Sequence, residues 1–254
     1  MPRGTRRKSS SGIYHVMLRG VNQQIIFEED QDRHRFLQTL ARFKDECAYS
    51  LYAYCLMDNH VHLLLNENAG NISNIVQKIS TSYANWFNAK YDRSGHLYQG
   101  RFRSGVVESD AIFLRVLRYI HQNPIRAGIS KHVFNYKWSS AERYLKEPGL
   151  VDTEYGLQLF SQMADDAVEK YKEFMNEIKE NNDEDYLDRD NRRYKDEELF
   201  PIFREYGITR PTELQLMDKK RRDAILREIK QMDGVSIRQL SRITGISRSV
   251  IQRA

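Results

Sequence analysis

Residues 49–65, YSLYAYCLMDNHVHLLL, decide how the chain is read. Two runs of aromatic and aliphatic residues, 49–57 and 60–65, flank Asp58-Asn59, a polar pair of the kind that joins hairpin strands. In the second run His60 and His62 stand two residues apart. Side chains alternate along a strand, so both imidazoles face one way, close enough to grip one cation, and Val61 faces the opposite layer. On this segment alone, three readings stay open: a metal site, the His-x-His of a zinc hydrolase, or polar filling of a strand face.

Working outward, residues 13–19 (IYHVMLR) form a first strand ending at Gly20. Residues 30–47 carry Phe36, Leu37, Leu40, Phe43 and Cys47 at helical spacing, and residues 71–90 carry Ile72, Ile75, Val76, Ile79, Tyr83 and Trp86 in the same way. Residues 91–104 (YDRSGHLYQGRFRS) read as a polar loop, and 105–108 as a short fourth strand. Ser109 caps a helix that runs to Gln122 and stops at Asn123-Pro124, because a residue before proline is pushed out of the α region. The order predicts an α+β fold with a ferredoxin-like antiparallel sheet and helices packed on one face. On the last helix Ile112, Phe113, Val116, Leu117 and Ile120 make the buried stripe. Tyr119 sits at its edge, with Asn123 one turn further as its i,i+4 neighbour. A tyrosine at a core margin often simply packs.

The chain has 254 residues and a net charge of +5, and the charge is unevenly spread. Residues 1–150 hold 21 Lys+Arg against 13 Asp+Glu, residues 151–200 hold 7 against 16, and residues 201–254 hold 12 against 6. Two basic blocks separated by an acidic one suggest a polyanionic partner. The expected organisation is a basic arm over 1–12, a catalytic-type domain over 13–150, an acidic linker or exposed helix over 151–200, and a helical unit over 201–254. In that last unit a helix over 218–232 precedes SIRQLSRIT and SRSVIQRA, each begun by a serine and separated at Gly245. This is the pattern of a helix-turn-helix, with Arg248, Ser249 and Gln252 on the outer face of its final helix. No apolar run approaches the roughly 18–20 residues of a membrane span. Cys47 and Cys55 make no disulfide framework, so a cytoplasmic setting is expected.

Three segments, YCLMDNHVHLLL, GHLYQGRFRS and YIHQNPIRAG, together with the opening YHVMLRG, resemble the single-tyrosine HUH transposases, and most of all the REP-associated tyrosine transposases. The resemblance covers about residues 13–145. It implies that His60 and His62 are metal ligands, that Tyr119 is the nucleophile, and that Asn123, where relatives often carry Gln, is a third ligand. Such a donor set suits Mg2+ or Mn2+. It further implies cleavage and rejoining of single-stranded, hairpin-forming DNA through a 5′-phosphotyrosine link, with no obligate protein partner and with a monomer favoured over the homodimer of exchanged tyrosine helices that small relatives form. Other DNA contacts are expected from the arm (Arg3, Arg6, Arg7, Lys8), from the loop (Tyr98, Arg101, Phe102, Arg103), and from Arg115 and Arg118 beside the tyrosine. A non-catalytic DNA-binding regulator derived from such an enzyme is the alternative. His15, His34, His96, His121 and His132 show no ligand spacing, and His121 lies nearest the tyrosine in sequence.

Overall fold

The computed structural model describes residues 7–177, 194, 196–232 and 235–254, which fall into two compact units, 1–187 and 188–254. The first is built on a four-stranded antiparallel sheet of order β2-β3-β1-β4, with β1 Ile13–Arg19, β2 Ser50–Met57, β3 His60–Asn66 and β4 Arg103–Val106. The α+β fold read from the sequence is what the structure shows. The hairpin at Asp58-Asn59 sets the register between β2 and β3, and β1 pairs with β3 so that Met17 faces His62 and Arg19 faces His60.

Helices α1 (Asp30–Cys47) and α2 (Ile72–Lys90) cover one face of the sheet. Phe36, Leu40, Phe43, Ile75, Ile79 and Tyr83 pack there against Tyr14, Val16, Leu18, Leu56, Val61, Leu63 and Leu65. Helix α3 (Asp110–Arg126) lies on the other face, where Phe113, Val116, Leu117 and Ile120 meet Ala53, Cys55, Met57 and Leu64. The helices therefore do not share one face, as the sequence reading had them. The reason is visible in the strands: β1, β2 and β3 are buried almost continuously, with no solvent-exposed alternate face. A sheet buried on both sides needs a cover on both sides.

Two boundaries also differ from expectation. The fourth strand begins at Arg103 rather than 105, pairing with Met17 at the edge of the sheet. Helix α3 does not stop at Gln122. It runs through Asn123-Pro124 to Arg126, with the Ala127 N–H donating to the Asn123 carbonyl at 3.0 Å. An interior proline costs a helix roughly 3 kcal/mol. Asn123 and Pro124 are both buried, so packing offsets the local preference. As a result, Asn123 stays in helical register with Tyr119.

The acidic stretch expected as a linker from 151 is in its first half part of the first unit. The short helix α4 (Glu154–Gln158) leads to α5 (Ala164–Asn176), whose Tyr171 and Met175 are buried in the core that contains α3. Residues 178–193 lie outside the described set. The second unit starts earlier than 201. Its helix α6 (Asp196–Glu205) buries Leu199 and Phe203 in a core shared with α7 (Lys219–Gln231), α8 (Ile237–Thr244) and α9 (Arg248–Arg253). Gln239 and Arg242 of α8 hydrogen-bond the Asp196 carboxylate. Those contacts make Asp196 a structural residue of this unit. Gly245, at φ 71°, terminates α8 in the left-handed conformation and lets the chain turn into α9. Among the described residues no helix is long and apolar enough to cross a membrane.

Candidate active site

The site forms where β1 and β3 present their second face to α3. His60 and His62 occupy alternate positions of β3 on that face, with ring centroids 5.0 Å apart. From α3, the Tyr119 ring stands edge-on to His62 at 5.4 Å, and the Asn123 Oδ1 lies 3.4 Å from His60 Nε2. The i,i+4 spacing of Tyr119 and Asn123 thus spans the i,i+2 spacing of the histidines. Tyr119 is only 9% exposed and Asn123 8%. The four residues singled out from the sequence are together, all contributed by one chain.

The hydrogen bonds bear on how the imidazoles are protonated. Asn59 donates its Nδ2 to the Gln23 carbonyl, so its Oδ1 is left to accept from His60 Nδ1, 2.6 Å away. A neutral imidazole has one donor and one acceptor nitrogen, so His60 Nε2 presents a lone pair to the Asn123 carbonyl oxygen. Burial lowers the His60 pKa, opposed by Asn123 and reinforced by Arg19. Burial also holds His62 well below the ordinary histidine range, with His15, His60 and Arg19 adding in that order. Both rings are therefore neutral at pH 7. Two electron-pair donors turned toward each other suit a cation better than they suit each other. The residues present thus fit a divalent metal through two neutral nitrogens and an amide oxygen. Among the described residues no three His, Cys, Asp or Glu side chains converge on a metal position, unlike the usual ligand set of a zinc site.

Three residues that sequence reasoning did not select also stand here. His15, on β1, is fully buried, with Nε2 2.9 Å from His62 Nδ1 and its ring 5.7 Å from that of Tyr119. Arg19 is the cross-strand neighbour of His60 on the same face. Arg126, exposed at the end of α3, lays its guanidinium over the Tyr119 ring at 5.1 Å. The parity of residues 13, 15, 17 and 19 was readable, but the register that brings His15 beside His62 comes only from strand pairing.

The remaining expectations divide. Arg115 is exposed on α3 one turn before Tyr119, and Arg103 is exposed on the histidine face of the sheet, in the row of Met17 and His62. Arg101 is exposed in the loop before it. Tyr98 and Phe102 do not form an open stacking platform. Both pack against the α1/α2 core, and the Tyr98 hydroxyl is buried, which raises its pKa. Arg118 is not a phosphate contact either. It is 4% exposed, pairs with Glu177 at 3.2 Å and lies over the Phe174 ring at 4.3 Å. Helical geometry explains this, because Arg118 precedes Tyr119 by about 100° and faces α5 instead. His121 is fully buried and bonded to Ser140 and Tyr171 at 2.8 Å each. Arg7 and Lys8 are exposed before the Ile13 end of β1. That is six positions from Arg19, or roughly 20 Å by strand rise. Arg3 and Arg6 lie outside the described residues. In the second unit Arg248, Ser249 and Gln252 are all exposed on α9.

The site is thus a sheet-borne histidine pair met by a helix-borne tyrosine. Residues 8–123, just under half of the chain, match the family model described as "Transposase IS200 like". A protein of Haemophilus influenzae named as a REP-associated tyrosine transposase is 27% identical over 119 residues, covering 41% of this chain and 67% of its own length. The fold matches a solved REP-associated tyrosine transposase, described as bound to a REP hairpin. That match has a TM-score of 0.50 and 18% identity, and covers 60% of this chain and 90% of that one.

Arg126→Ala is expected to weaken binding of single-stranded DNA and lower the salt slope of log K by about 0.7, one phosphate contact's worth, without changing the melting temperature. Fluorescence anisotropy across a salt series measures it. An unchanged slope would remove Arg126 from the DNA path.

Proposed function

We propose that the first unit is a DNA strand transferase that cuts and rejoins single-stranded, hairpin-forming DNA through Tyr119. The observation that carries this reading is the position of the Tyr119 ring, 5.4 Å from His62, on the helix that also sets Asn123 against His60. The Tyr119 phenolic oxygen attacks a backbone phosphorus. The bond from phosphorus to the 3′-oxygen breaks, the phenolic proton passes through solvent to that oxygen, and the strand ends as a free 3′-hydroxyl. The 5′ side stays on the enzyme as a phosphotyrosine ester. A phosphodiester has been exchanged for a phosphodiester, so a second 3′-hydroxyl reverses the step without ATP.

His60, His62 and Asn123 would hold Mg2+ or Mn2+, which when bound supplies Lewis-acid stabilisation of charge on the phosphate oxygens. Arg19, Arg103, Arg115 and Arg126 surround the site with positive charge and would hold the strand in place. Because tyrosine and histidines come from the same chain, the reading takes a monomer as the working form. The second unit is read as a helix-turn-helix that grips duplex DNA with Arg248, Ser249 and Gln252.

The test is incubation of the whole protein with labelled single-stranded hairpin DNA and Mn2+, followed by denaturing electrophoresis. A covalent protein–DNA adduct is expected, and chelation of the metal should abolish it. DNA binding with no adduct across a panel of hairpins would favour the non-catalytic regulator.

A further inference from the structure

His15 has no evident reason to be a histidine. It is fully buried between the sheet and α3, a place an aromatic or aliphatic residue would fill. Its Nδ1 is buried with no hydrogen-bond partner among the described residues. Buried polar atoms are almost always paired, and an exception asks for an explanation. Among the described residues, the one polar contact of the His15 side chain is to His62, from Nε2 to Nδ1 at 2.9 Å.

That contact constrains His62. A neutral imidazole carries one proton, so either His62 Nδ1 donates to His15 or His15 donates to His62 Nδ1. A nitrogen that binds a cation must be unprotonated, and His62 Nδ1 is already occupied by the hydrogen bond. His62 can therefore serve a cation only through Nε2, with its proton on Nδ1 and His15 accepting. His15 then carries its own proton on the unpartnered Nδ1. Asn59 fixes the same Nδ1–H form of His60 from the other side. Each histidine of the pair has an acceptor behind it.

We propose that His15 is a positioning residue that holds His62 in the Nδ1–H tautomer, so that its Nε2 lone pair is offered to the divalent cation. This rests on the reading of His60 and His62 as metal ligands. Partners behind metal-binding histidines typically change metal affinity 10–100-fold. His15→Phe keeps the ring and its packing but removes the acceptor, whereas His15→Gln restores an acceptor oxygen.

The experiment uses the full chain with 15N-labelled histidine, read by long-range 1H–15N correlation without metal and with Mg2+, beside Mn2+ titration calorimetry. Expected is an Nδ1–H, bare-Nε2 signature for His62 in the unmodified protein under both conditions. Mn2+ binding should weaken about 10–100-fold in His15→Phe and recover most of that loss in His15→Gln. A metal-free His62 protonated on Nε2 would overturn the proposal, as would Mn2+ affinity in a folded His15→Phe within twofold of the original. If His15→Phe does not fold, the tautomer in the unmodified protein decides. Absence of any Mn2+ binding would instead sink the metal-ligand reading itself. Loss of the covalent adduct with normal Mn2+ binding would sink the strand-transfer reading and leave the role of His15 standing.

Discussion

Tyr119→Phe is expected to abolish the covalent protein–DNA adduct while leaving the fold intact. The substitution removes one oxygen and keeps the ring that stands edge-on to His62 and His15. Phenylalanine fills the same space at the margin of the α3 core, where Tyr119 is 9% exposed, so the stability change should stay within about 1 kcal/mol. Chemistry should fall far more. On the proposed strand-transfer reading the phenolic oxygen is the group that would hold the 5′-phosphate, and loss of a covalent nucleophile ordinarily costs at least ~10³-fold. Single-turnover incubation with labelled hairpin DNA and Mn2+ on a denaturing gel, with thermal melts alongside, measures both. An adduct that persists in Tyr119→Phe would place the nucleophile elsewhere. Hairpin binding should survive, because the guanidinium groups around the site are untouched.

The second large effect is on stability in acid. Burial pushes the His15 and His121 imidazoles down to about 3, against about 6.5 when unfolded. Between those values the unfolded chain binds a proton at each histidine and the folded protein does not. Stability is therefore full above about pH 6.5 and declines as the pH drops below it. Each histidine costs up to about 1.4 kcal/mol per pH unit, or roughly 2 kcal/mol each by pH 5. Loss of about 4 kcal/mol from two residues is a large share of a typical domain stability of about 5–15 kcal/mol. Urea denaturation of the first unit's core, followed by tyrosine and tryptophan fluorescence, should show a midpoint much lower at pH 5 than at pH 7.5. An unchanged midpoint would mean that the buried histidines take up protons without unfolding.

Much of the site was legible because its spacings are local. Two residues along a strand and four along a helix each define a shared face, so His60 with His62 and Tyr119 with Asn123 could be paired before any fold was known. The rule that misled was local too. Asn123-Pro124 was read as a helix end from the pre-proline preference, but burial of both residues carries α3 past them to Arg126. Had the helix ended at Gln122, neither Asn123 nor Arg126 would be held in register with Tyr119. Arg118 shows the same limit. A basic residue beside Tyr119 looks like a phosphate contact until α5 brings Glu177 and Phe174 against it.

The sequence by itself determined the four strands and the helix carrying the tyrosine, the histidine and tyrosine spacings, and the helical unit with its turn at Gly245. Those follow from periodicity and from capping or turn residues, which act over a few positions. Only the tertiary structure decided that α3 lies on the opposite face of the sheet from α1 and α2, that Tyr98 and Phe102 turn inward, and that His15 stands behind His62. These outcomes depend on which strands pair and which faces must be covered, and contacts between residues 15 and 62 or 118 and 177 have no short-range signature.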